Sequence, residues 1–211
     1  MFQSNKKSIT LLIGFLSLGF FLFKWYLPFE NFEENINTKV IFESLSDGYY
    51  YFPELKSLVN FNLSNSFDPF VKNLGTIAIP TGAFFLHFIF YLIFDVWCFI
   101  ILEFFFITIF IVIFYKISRL LNLDRLQSVA VALILFNISI FFELLNLNNV
   151  QYFNVIFSEF YSFRFPRPMV SNIFFFVFIL FVLRLNKNKI FTKKNSIIFG
   201  TISGFSFTSF Y

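Results

Sequence analysis

An apolar run from Leu74 to Tyr115, interrupted by Pro80, Gly82, His87, Asp95 and Glu103, constrains this chain more than any other feature. Runs of that kind read as membrane-spanning helix, because about twenty apolar residues at ~1.5 Å each match a hydrocarbon core of ~30 Å. Further apolar runs cover 8–27, 126–145, 168–185 and 196–211. The fold class expected is therefore all-α, a polytopic transmembrane helix bundle with a long first outer loop carrying short amphipathic helices. Composition supports this: 58% of residues are hydrophobic and 13% charged, whereas soluble domains carry about a quarter charged residues.

The formal net charge of +4 does not point to nucleic acid, because Lys and Arg stand beside the apolar runs, where they set orientation. The 41 Phe residues, set among much Ile, Asn and Lys, look partly like the codon usage of an AT-rich genome, so no Phe stripe is read as a cofactor box. Cys98 is the single cysteine and lies inside an apolar run, which excludes an internal disulfide. The first run follows Lys6 and Lys7 and ends in Phe23-Lys24-Trp25-Tyr26-Leu27-Pro28 without a small-residue cleavage site. It reads as an uncleaved signal anchor with an aromatic interfacial flank.

Charge then decides sidedness. Lys6, Lys7, Lys116, Arg119, Arg125, Arg184, Lys187, Lys189, Lys193 and Lys194 share one side with a single acid, Asp124. By the positive-inside rule that side is cytoplasmic, so the N-terminus is cytoplasmic and the loops 28–76 and 146–167 lie outside. A bacterial inner membrane is the expected location. The block from Leu74 to Tyr115 must then cross an odd number of times, which assigns 96–115 as a span and 77–94 as a re-entrant or interfacial helix. Two ordinary spans are the alternative, and would leave Lys116, Arg119 and Arg125 outside. Because a chain end within hydrocarbon is costly, the run 196–211 is expected to be incomplete and the sequence the N-terminal part of a longer protein.

The outer loops carry the candidate chemistry. Asp47 stands in Ser44-Leu45-Ser46-Asp47-Gly48-Tyr49-Tyr50-Tyr51. Near a head-group surface, a carboxylate there could act as general base on a sugar hydroxyl, or hold a divalent metal beside a phosphate. Gly48 allows a tight turn, and Tyr49, Tyr50 and Tyr51 could stack on a sugar ring and donate hydrogen bonds. The same residues also suit an ordinary solvated turn. In Phe52–Leu63, Leu55, Leu58, Val59 and Leu63 recur at helical spacing after Pro53, which predicts a short amphipathic helix on the membrane.

The second outer loop holds Glu159, Arg164 and Arg167, the last two set among Pro166 and Pro168. Arginine on a side where orientation does not require it suits a lipid phosphate or pyrophosphate, since guanidinium binds phosphate bidentately. Contact with anionic head groups or a salt bridge to Glu159 are the alternatives. Glu103 sits in mid-span, either functional by default or hydrogen-bonded between helices. His87 is the single histidine, so a zinc site is not expected.

With the stretches SDGYYYFPEL and GTIAIPTGAFFLHF in view, the pattern resembles the GT-C superfamily of integral-membrane glycosyltransferases, polyprenyl-phosphate-sugar type. The resemblance covers an N-terminal span, a long outer loop with an acid, a Gly/Pro-containing apolar segment, and further spans joined by basic inner loops. It implies an all-α fold, Asp47 as the essential acid and a polyprenyl-phosphate-linked sugar donor. It also implies outer-face membrane-surface helices; Tyr49, Tyr50, Tyr51, Glu159, Arg164 and Arg167 are assigned as substrate-binding residues on their chemistry alone, not on the resemblance. The family's usual paired acids are absent, since Gly48 and Tyr49 follow Asp47. No metal ligands are assigned, and a divalent metal is the cofactor the chemistry leaves open. A multispanning transporter or lipid-handling protein, and a non-catalytic assembly factor on the same scaffold, are the other functional classes.

Overall fold

A computed structural model describes residues 6–31, 41, 55–56, 58–60, 81–138, 169–188 and 192–210. Among these residues the structure is helical, without strands. Helices are the expected solution for an apolar chain in lipid, because a helix satisfies its own backbone polar groups. Among the described residues three segments, Lys7–Tyr26, Phe84–Leu120 and Met169–Lys187, are long and apolar enough to cross a membrane. The chain is an integral membrane protein of all-α class.

The elements are α1 (Lys6–Asn31), α2 (Thr81–Phe94), a 3-10 turn (Asp95–Trp97), α3 (Cys98–Leu120), α4 (Arg125–Phe136), α5 (Met169–Asn188) and α6 (Lys193–Phe210). Helix α3 is the hub and packs against α1, α2, α4 and α5, while α6 packs against α5 and α2.

The apolar stretch Phe84–Leu120 is not one straight rod. Asp95 takes φ 50, inside the left-handed region, where Asp is among the few non-glycine residues tolerated. The chain reverses there. An unbroken helix would hold residues 87 and 106 about 28 Å apart, yet the ring centroids of His87 and Phe106 lie 6.3 Å apart. Helix α2, with 14 residues, reaches about 21 Å and is short of the ~30 Å core. It folds back onto the first part of α3, with Gly82, Phe84 and His87 buried.

At its other end α3 carries Lys116 and Arg119 in its last turns and closes at Leu120. It stops in a Schellman motif: Asn122 at φ 67, with the N–H of Asn122 donating to Arg119 O and that of Leu123 donating to Ser118 O. Asp124 then starts α4 with a capping box, accepting from Gln127 N while the Gln127 side chain accepts from the Asp124 N–H. Lys187 at the end of α5 reaches across to Leu120 O and Asn122 Oδ1. The described part of α4 ends at Phe136, where the Asn137 side chain donates back to Leu133 O.

Ring contacts set the directions. Phe20 of α1 meets Phe136 of α4, whose ring also meets Phe110 of α3. With Lys24 at Glu103, that register runs α1 antiparallel to α3. Phe176 of α5 meets both Phe110 and Phe114, and Lys187 meets the end of α3, so α5 runs parallel to α3. Phe174 and Phe178 of α5 meet Phe205 and Phe199 of α6, an antiparallel pairing. As a result Lys7, Arg119, Arg125, Lys187 and Lys193 collect at one end of the bundle, hereafter the basic end. The opposite end holds the 3-10 turn and the close of α1.

Candidate functional site

The opposite end is where ionisable groups enter the core. Glu103 lies one turn into α3 and is fully buried, with 0% of its side chain exposed. A carboxylate in that position needs full hydrogen bonding, since an isolated buried charge costs many kcal/mol. Both oxygens are engaged by consecutive residues of α1. Lys24 Nζ donates to Oε1, and Trp25 Nε1 donates to Oε2 at 2.9 Å.

The Lys24 ammonium also lies 5.9 Å from the centre of the Trp25 ring, within cation–π range. Phe21, one turn earlier on α1, packs edge-on to Phe104 at 5.3 Å and closes the apolar side. The Lys24 side chain keeps 37% exposure, so the pair joins the buried core to the rim.

His87 approaches the same part of α3 from α2. Its ring lies among Phe84 at 6.3 Å, Phe99 at 5.5 Å and Phe106 at 6.3 Å. Phe99, Glu103 and Phe106 follow i, i+4, i+7 spacing, so one stripe of α3 receives α2 through its two rings and α1 through its carboxylate. The hairpin of α2 and α3 and the ion pair from α1 thus place a base, an acid and an imidazole at one level of the bundle.

Beside them an apolar groove of about 600 Å³ is lined by Phe21, Leu22, Phe23, Trp25, Tyr26, Trp97 and Ile100. Trp and Tyr concentrate at membrane–water interfaces, which fits this end of the helices.

The residues singled out from the sequence, Asp47, Tyr49, Tyr50, Tyr51, Glu159, Arg164 and Arg167, lie outside the described residues. Two neighbours of the first group are described. Ile41 and Leu55, which flank Asp47 and the three tyrosines in sequence, are buried at 1% and 0% exposure and belong to the hydrophobic core. Beside Leu55, Lys56 is exposed and Leu58 and Val59 are half-buried. On the other side, the residues that follow Pro168, from Met169 through Ile173, are all buried, including Ser171 and Asn172. Among the described residues no group of His, Cys, Asp and Glu could hold a metal ion.

The structure brings together Lys24, Trp25, Glu103 and His87, which the sequence reading treated separately, with Lys24 and Trp25 as an interfacial flank. A signal was present. Lys24 is the one cation between Lys7 and Asn31, and Glu103 is the one acid in α3. The two stand at nearly equal distances in sequence from Lys7 and Arg119, which is what an antiparallel pair at one depth requires. Comparison with protein-family models, with curated proteins and with solved structures gave no match.

Proposed function

We propose that this protein is a membrane glycosyltransferase that moves a sugar from a polyprenyl-phosphate donor to an acceptor on the outer face. The proposed membrane is the bacterial inner membrane, with the N-terminus in the cytoplasm. The observation that carries the reading is the burial of Ile41 and Leu55 in the core. Ile41 and Leu55, which bracket the Asp47 segment in sequence, are both anchored in the core, and two such anchors suit a site held at the edge of the bundle. The Lys24–Glu103 pair supports it by fixing the end of α1, from which that stretch departs.

In this mechanism Asp47 takes the proton of the acceptor hydroxyl. The acceptor oxygen bonds to the anomeric carbon as the bond from that carbon to the phosphate oxygen breaks. The lipid phosphate leaves, steadied by Arg164 and Arg167. Tyr49, Tyr50 and Tyr51 stack on the sugar, and Glu159 orients the arginines or the donor.

Asp47→Asn tests the assignment in a membrane transfer assay. Loss of a general base is expected to slow transfer by about 10²–10⁴-fold, with insertion unchanged. Undiminished transfer removes Asp47 from the mechanism. A second reading, transport or lipid handling without glycosyl transfer, draws on the burial of both Glu103 and His87 within apolar helices, since ionisable groups in membrane helices mark pathways. It requires Glu103→Gln to abolish function and Asp47→Asn to spare it.

A further inference from the structure

The exposed face of α3 has a pattern that neither the ion pair nor the proposed site uses. Phe105, Ile109, Val112, Lys116 and Arg119 follow i, i+4, i+7, i+11, i+14 spacing and form one stripe down the helix. The other faces of α3 are taken: Glu103 and Phe104 meet α1, Phe99 and Phe106 meet α2, and Phe110 and Phe114 meet α5. Most of the stripe stays open, with Phe105 at 49% and Ile109 at 39% exposure, both cations exposed, and Val112 half-buried at the edge of the core.

Helix capping does not account for the two cations. The Schellman motif and Lys187 already satisfy the last carbonyls of α3. Arg119 gives one N–H to Leu123 O and has five to offer. The next acid along the chain, Asp124, is engaged in its own capping box with Gln127. We infer that the stripe is a binding site for an anionic glycerophospholipid, its acyl chain along Phe105, Ile109 and Val112 and its phosphate between Lys116 and Arg119. Charge complementarity selects the occupant: an apolar track that ends in two cations fits an amphiphile with a negative head. A neutral lipid or a second copy of this chain, equally basic there, does not complement it.

The test titrates the full chain, in neutral detergent micelles, with phosphatidylglycerol and separately with phosphatidylcholine, and counts bound lipid by native mass spectrometry. The wild-type chain is expected to retain phosphatidylglycerol in preference. Lys116→Gln with Arg119→Gln is expected to weaken that retention about thirtyfold. Lys193→Gln with Lys194→Gln, equal in charge removed but on α6, is expected to leave it unchanged, as is the charge-preserving Lys116→Arg with Arg119→Lys. Equal retention of the two lipids by the wild-type chain overturns the proposal, whether or not any variant folds. So does an equal loss in the α6 variant, which would make the effect one of bulk charge. Displacement of the lipid by inorganic phosphate alone would reassign the cations to a soluble ligand, and a dimer that excludes lipid would assign the stripe to a second copy; either result overturns it too.

Discussion

The two ends of α3 handle charge in opposite ways. Near its start Glu103 is buried, and both of its oxygens are bound by Lys24 and Trp25 of one neighbouring helix. At its close Arg119, Lys187 and Asp124 are exposed, and each bonds to backbone or amide groups of one turn rather than to an opposite charge. A buried charge must have its own partner, so the first end specifies which helix sits where. An exposed charge has water as an alternative, so the second end fixes where helices stop and which way the bundle faces, at little energy per contact.

Substitutions at the two ends should separate in size accordingly. The largest effect is expected for Lys24→Met, which strands Glu103 in the core. Breaking a buried pair costs about 3–5 kcal/mol, and the partial exposure of Lys24 puts the expected loss near the lower figure, read as a drop in unfolding free energy in micelles. Asp124→Ala removes the cap of α4 and is expected to cost about 1 kcal/mol by the same measurement. Lys187→Met removes a cation from the C-terminus of α3 and is expected to cost only about 0.3–1 kcal/mol, less at high salt. If Lys187→Met proved as costly as Lys24→Met, the contrast between the ends would be lost.

How far the sequence could show this depends on the range of each interaction. The all-α class and the membrane helices were legible because hydrophobic run length is a local property, read directly from stretches such as 8–27 and 168–185. The stop after α3 was legible in principle as well, since Asn122 followed by Asp124 and Gln127 spells a left-handed terminus and a capping box within a few residues. The ion pair was not read because its partners lie far apart in the chain and depend on the register between two helices. Phe23-Lys24-Trp25-Tyr26 taken alone looks like an interfacial flank. The reversal at Asp95 belongs to the same class, as a left-handed Asp in an apolar run is stabilised by long-range packing such as that of His87 against Phe99 and Phe106. Of the candidate site, Asp47 and its tyrosines are read from sequence, whereas the core contacts of Ile41 and Leu55 beside them emerge only from the folded chain.

The central structural claim is that Lys24 and Glu103 hold α1 to α3 as a coupled pair. A double-mutant cycle with Lys24→Met, Glu103→Leu and the double variant, measured by unfolding in micelles, tests it most directly. The account predicts that the double variant recovers most of the loss seen in Lys24→Met, with a coupling energy of about 2 kcal/mol. Additive losses, with coupling near zero, would contradict it.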